Sequence, residues 1–492
     1  METRPGFRQG MAIVLDLRSK PDRLVRAIER VFELSAGKLL DLDRSWDLMR
    51  GTPVFTVNGA YTSRGWTEWT QGFVHGAHLL QFDATGEFRF LDLGRKGTME
   101  RMSHHLTHIG VHDHGFNNIS TYGNLWRLMR EGKAPSTDGD KHYCELALKV
   151  SGAVQAARWT DLPQGRGYIY SFNGPHSLFV DTVRSLRSLA VAHQLGHALM
   201  GERDRRFSLL QRLLRHALTT ADFNVYYGKG RDGYDLAGRT AHESIFNLND
   251  GSYRCPSSQQ GYSPFTTWTR GLAWAILGFA EQAEFLLTFS DAEIEAVLSA
   301  AALENEPPET WPKTGVAVRA RLIEAASVTA EYYMATCCTD GIPMWDTGAP
   351  NLHHIAGWQD RPSDPWNGRE PVDSSAAAIA AQGLWRLGGY LIANDAGASG
   401  ARYRHAALTI AKTLFAEPYL AVDTGHQGLL LHTVYHRPNG WDYVVPGQKI
   451  PNGESCMWGD YHMLELALML WRETRGEAYL AFFDFTRRRP AG

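Results

Sequence analysis

Cysteine is scarce here and poorly spaced for cross-linking. The 492-residue chain has 5 Cys, among them the adjacent pair Cys337-Cys338, with no C-x-x-C spacing and no Cys/His ladder. That excludes a disulfide scaffold and a structural zinc site. An excess of charge of one sign is also missing. With 50 Lys+Arg against 53 Asp+Glu the formal net charge is −3, so there is no basic footprint for nucleic acid or an anionic membrane. No uninterrupted apolar run is long enough to span a bilayer. Residues 1–20 carry charges throughout and lack the apolar stretch of a signal peptide. A soluble, cytoplasmic protein is expected, with no nucleic-acid and no membrane partner. The G-x-S-x-G elbow, the H-E-x-x-H zinc helix, the Walker A loop and the Rossmann G-x-G-x-x-G are all absent. His242-Glu243 lacks the second His of a zinc protease helix. Nothing in the sequence calls for a metal or an organic cofactor.

What is present points to helices. At 43% hydrophobic residues the chain can bury a sizeable core. Apolar residues recur at i, i+3, i+4 and i+7 through most of it, and strand signals are few. Asp22–Leu40, Lys141–Trp159, Arg205–Phe223, Ala317–Ala335 and Tyr403–Leu414 each pair a charged face with an apolar one, the pattern of a helix lying on an outer surface. A less clear segment, Gly94–His108, joins them. A second set is richer in Gly, Ala, Leu and aromatics and poorer in charge, as a helix buried on most sides must be. Its members start near Gly72, Gly115, Asp181, Arg270, Asp373 and Gly459. Outer-type and inner-type helices alternate through six hairpins, which predicts an all-α (α/α)6 barrel, a six-hairpin α-toroid. A single domain over residues 1–492 is expected, with 1–20 and 480–492 as terminal extensions and a monomeric or weakly homo-oligomeric state.

The loops before the inner helices hold the unusual residues: Trp69-Thr70-Gln71-Gly72-Phe73, His112-Asp113-His114-Gly115-Phe116, Val180-Asp181-Thr182, Gln260-Gly261-Tyr262-Ser263, Trp268-Thr269-Arg270-Gly271-Leu272-Ala273-Trp274, Asp373-Ser374-Ser375-Ala376 and Gly459-Asp460-Tyr461. Aspartate is a preferred helix cap, so each Asp taken alone reads as structural. Asp373 and Asp460 keep that reading. As a set at one end of a barrel, the carboxylates, aromatics, His and Arg make the equipment of sugar chemistry: flat walls, proton donors and a binder for an anionic group.

These segments, with His242, resemble the unsaturated glucuronyl hydrolases of glycoside hydrolase family 88, in the family's order and over roughly residues 60 to 475. Departures are Leu272 after Arg270-Gly271, where Gln is usual, and Ser263-Pro264-Phe265-Thr266-Thr267, where acidic residues are usual. Phe172 stands where an aromatic, commonly Trp, precedes the second catalytic Asp. The resemblance implies a substrate with a C4=C5 double bond in a non-reducing-end uronic acid, and no cofactor. It implies Asp181 as general acid/base and Asp113 as its partner, one of the two keeping a proton. Arg270 would bind the substrate carboxylate as a fork. His242, Gln260 and His112 would contact the sugar, and Trp69, Phe73, Trp268 and Trp274 would wall it. The alternatives are an unsaturated rhamnogalacturonyl hydrolase, a sugar 2-epimerase relying on paired His, and a non-catalytic sugar-binding protein.

Overall fold

The computed structural model describes residues 12–65, 67–302, 311–394 and 396–483. Six inner helical segments close a ring. In chain order they are α2 (Gln71–Thr85), α4 (His114–Asn118) continuing through a π turn into α5 (Asn124–Arg130), α7 (Thr182–Ser185) with α8 (Arg187–Gln194), α10 (Thr269–Leu286), α13 (Ser374–Ala393) and α15 (Met457–Thr474). Each packs on the next, and α15 returns to α2. The outer layer is α1 (Val25–Ser45), α3 (Phe88–Arg101), α6 (Asp138–Ala157), α9 (Leu209–Phe223), α12 (Gly315–Thr336) and α14 (Gly397–Leu414), with an additional helix α11 (Asp291–Ala302) against α12.

The two layers differ as their sequences require. On α1 the buried positions Ile28, Val31, Phe32, Ser35 and Leu42 fall on one face, whereas every side chain of α10 is buried. Three of the outer helices start at side-chain caps: Thr137 and Asp140 cap α6 reciprocally, and Ser208 and Thr314 cap α9 and α12. A layer of buried ion pairs crosses the ring's axis, where Arg184 meets Glu281 and Glu465, and Arg386 meets Glu281 and Glu284. Among the described residues no single helix is long and apolar enough to cross a membrane.

Three expectations need correction. The segment expected as one helix over Gly94–His108 is α3 followed by a separate 3-10 turn, Ser103–Leu106. Residues 206–207 form a small hairpin with Leu199–Met200, and α9 begins only after its Ser208 cap. The chain ends are not simple extensions where they are described. Ile13 is buried with its backbone N–H on the Met334 carbonyl, and Leu480, Phe482 and Phe483 are core residues. Residues 1–11 and 484–492 lie outside the described residues.

Candidate active site

Two local devices bring the predicted carboxylates together. The first is a three-stranded antiparallel sheet of Ser177–Phe179, Glu243–Phe246 and Tyr253–Ser257. Its register sets Phe179 beside Glu243 and Glu243 beside Ser257. Asp181, His242 and Gln259-Gln260 therefore emerge from the same end of one sheet, and the Val180 N–H donates to the His242 carbonyl at 2.9 Å. The second is a junction between helix starts. The Gly115 N–H donates to Ser185 Oγ at 2.8 Å, and that hydroxyl donates to the His112 carbonyl at 2.7 Å. A Cβ at position 115 would sit inside the Ser185 backbone, so only glycine lets α4 approach α7 this closely.

The aspartates at helix starts then separate by what their side chains do. Asp373 caps α13, accepting from the Ser375 and Ala376 N–H groups at 3.0 and 3.3 Å. Asp460 accepts from the Leu429 and Leu430 N–H groups, Ser455 and the Tyr61 hydroxyl. Asp113 and Asp181 stand at the N-cap positions of α4 and α7, yet neither side chain caps its helix. Both face His112 instead, whose Nε2 lies 3.7 Å from Asp113 Oδ1 and 3.5 Å from Asp181 Oδ1.

Burial raises the pKa of Asp113, and the neighbouring Asp181 charge adds to this against the opposing pull of His112. For Asp181, burial also favours the neutral form. The nearby His112, with the fields of His242 and Arg270, outweighs burial and lowers its pKa. The fold therefore favours the neutral form at Asp113 and the ionised form at Asp181. His242 is held neutral. Its Nδ1 accepts from the Gln259 and Gln260 N–H groups at 3.0 and 3.3 Å, and burial takes its pKa down to about 4.

A cavity of about 540 Å³ opens over this pair. Eight of the predicted residues line it: Asp113, Asp181, His112, Gln260, Arg270, Trp69, Trp268 and Trp274. Phe73 and His242 do not. Phe73 is fully buried behind the wall, against Trp69, Phe116, Tyr461 and His462. His242 sits beneath the rim, where it holds the Gln259-Gln260 backbone.

Arg270 lines the cavity with its guanidinium engaged by the protein. Its Nη1 contacts Asp373 and the Val434 carbonyl, and its Nη2 donates to Gln260 Oε1 at 2.8 Å and the Tyr435 carbonyl at 2.9 Å. The guanidinium is stacked between the Trp268 and Trp458 rings. Both ends of its fork are engaged within the protein, and its contact with Gln260 Oε1 turns the Gln260 NH2 away from Arg270.

The sequence reading missed Glu68, His108, Phe116, Gln259, Tyr435, His436 and Trp441 on the cavity wall. The 435–441 segment comes from the loop before α15 and is drawn in by Arg270 through backbone carbonyls, which leave no side-chain signature.

Fold and site together define an α-toroid with a carboxylate pair bridged by histidine, in an aromatic-walled cavity at one mouth of the ring. No protein-family model matches the chain. The chain is 25% identical over 424 residues to the unsaturated glucuronyl hydrolase of Bacillus sp. strain GL1, covering 84% of this chain and 89% of that one. It is 23% identical over 402 residues to the unsaturated glucuronyl hydrolase of Formosa agariphila, covering 81% and 78%. The crystal structure of the Bacillus enzyme superposes with a TM-score of 0.64 at 22% identity, over 92% of this chain and 96% of that one. An aspartate-to-asparagine variant of the Streptococcus agalactiae enzyme, complexed with dGlcA-GalNAc6S, gives 0.58 at 18% identity, over 98% and 100%. The chain has the α/α-barrel fold of these enzymes.

Proposed function

We propose that this protein is a glycoside hydrolase of the unsaturated glucuronyl hydrolase type. It removes a C4=C5-unsaturated uronic acid from the non-reducing end of lyase-generated oligosaccharides. The observation that carries the reading is the pair of uncapped, buried aspartates on either side of His112, facing an aromatic cavity. The names of the relatives and the bound dGlcA-GalNAc6S of the Streptococcus structure supply the substrate class.

The chemistry fits the pair. The double bond is part of an enol ether, since C5 carries the ring oxygen. Protonation at C4 leaves positive charge shared by C5 and that oxygen, and water then adds at C5. The hemiketal opens to a 5-keto group, leaving C1 as a hemiacetal that releases the neighbouring sugar. Direct attack at the anomeric carbon is not needed, so the retaining and inverting geometries do not apply. One proton goes to carbon and one is taken from water, and a carboxyl pair holding a single proton can do both.

In the resting site burial favours Asp113 over Asp181 as the holder of that proton. A uronate carboxylate entering beside Asp181 adds a like charge, which raises its proton affinity and draws the proton across. Asp181 then protonates C4 and, as a carboxylate again, takes the proton of the attacking water. Trp69, Trp268 and Trp274 offer faces to the ring, and the Gln260 amide offers N–H donors. A 2-epimerase would rest on paired imidazoles, but the buried His242 and the buried wall residue His436 are both held near pKa 4 by burial.

The test is turnover of a panel of lyase-generated unsaturated disaccharides, followed by loss of the alkene's ultraviolet absorbance. Loss of the band with at least one member is expected. A preparation that releases nothing, or that converts saturated sugars while leaving the band intact, would contradict the reading.

A further inference from the structure

We infer that His112 is a positioning residue: an imidazolium set between two carboxylates that decides which of them is ionised. The inference rests on the proposed reaction, but its geometry stands on its own. Among the described residues, His112 is the one basic side chain with a nitrogen within 4.0 Å of either carboxylate, and a single atom, Nε2, reaches both. Its ring cannot swing away. It is stacked on Phe172 with ring centres 5.9 Å apart and is met edge-on by Phe179 at 5.4 Å. Its own carbonyl is fixed by Ser185 Oγ and Gln155 Nε2. Nδ1 is buried and has no protein partner, so nothing within the protein competes with the carboxylates for the ring.

The other charged groups facing the pair are committed elsewhere. Arg158 spends its guanidinium on the Ile109, Tyr170 and Ser171 carbonyls. Arg270 is engaged with Asp373, Gln260 and two backbone carbonyls. His242 accepts from two backbone N–H groups, and His216 accepts from the Ile169 N–H, so each of these rings presents a lone pair on Nδ1. His108 gives its carbonyl to His114 Nε2 and contributes to the field at Asp113. Burial drives His114, His216 and His242 well below the ordinary imidazole value. His112 is equally buried, yet the charges of Asp113 and Asp181 carry it above that value.

The asymmetry of the pair follows from this arrangement. His112 Nε2 lies 3.5 Å from Asp181 Oδ1 and 3.7 Å from Asp113 Oδ1, and its charge favours the ionised form of Asp181 more than that of Asp113. The carboxylate nearer the imidazolium stays ionised, and the other takes the proton. Removing the cation leaves two carboxylates with no charge between them, so the ionised member holds a proton up to higher pH.

Two measurements test this. The first needs no substrate: titration of the His112 ring by NMR in the wild-type protein and in Asp181→Asn. A wild-type ring that titrates above a free imidazole and falls by about one unit in Asp181→Asn is expected. A ring that titrates below a free imidazole, or is unmoved by the substitution, would overturn the inference.

The second is the pH profile of His112→Gln, with a melting curve to confirm that it folds. Because the carboxyl pair then holds its protons to higher pH, the kcat/KM profile should move up by about one unit. At neutral pH kcat should fall by at least about tenfold, with KM nearly unchanged. A raised KM with an unmoved profile would mean that His112 only touches substrate. A lower rate with an unmoved profile would mean that it is only structural. If the wild-type protein turns over no unsaturated substrate, the proposed function fails, while the ring titration still judges His112.

Discussion

Asp113, Asp181 and Asp373 all occupy helix N-cap positions, but only Asp373 makes capping hydrogen bonds. Replacing Asp181 with Asn removes no cap but takes away a carboxylate whose pKa the fold lowers, so it should lower the melting midpoint modestly at neutral pH and cut turnover by at least about 100-fold. Replacing Asp373 with Ala should act on stability first. It removes a cap and leaves Arg270 without its buried carboxylate, a cost of about 2–4 kcal/mol seen in denaturant unfolding. Asp113 gives a pH-dependent case. Its pKa is raised in the fold, so its contribution to stability is complete below the unfolded carboxyl value and is lost as pH rises through the folded value. Asp113→Asn removes that loss. It should melt higher than wild type at about pH 7–8, with the gap closing toward about pH 4, and it should turn over poorly at every pH. Sequence alone could not choose between Asp113 and Asp181 for the proton, because the choice depends on His112 reaching one of them better than the other.

At the level of elements, the inner and outer helices were readable because their patterns differ in kind: α1 has one apolar stripe and α10 has no exposed face. The small sheet was not readable. Its strands are three to five residues long, Tyr253–Ser257 contains Pro256, and short runs of this kind carry no clear period-two signal. Yet this sheet sets Asp181 beside His242 and Gln259-Gln260. The role of Gly115 was equally hidden, since a glycine needed for close approach looks like any other. Gly115→Ala should cost about 1–3 kcal/mol through overpacking against Ser185, measured by denaturant unfolding. It should also lower kcat, because the same junction fixes the His112 carbonyl. A variant with wild-type stability and kcat would show that the junction tolerates separation.

For the whole molecule, the toroid was legible in the alternation of helix types, and its closure is carried by packing from α2 round to α15. The buried charge layer across the ring was not foreseen. Arg184, Arg187, Glu281 and Glu465 read as isolated charges in apolar helices until the ring brings them together. Glu465→Gln leaves Arg184 and Arg187 short of a counter-charge and should destabilise the fold by about 3–5 kcal/mol, measured by denaturant unfolding. The cavity sits at the mouth formed by the inner-helix starts, so the reaction depends on residues from α4, α7 and α10 and the loop before α15 meeting there. The most direct test of that account is the reaction in heavy water, with an unsaturated uronyl disaccharide followed by proton NMR. The account predicts that the C4 vinyl signal disappears at the rate the neighbouring sugar is released, with one solvent deuterium delivered to C4, and that Asp181→Asn does neither. Release of the sugar with the vinyl signal intact would contradict it.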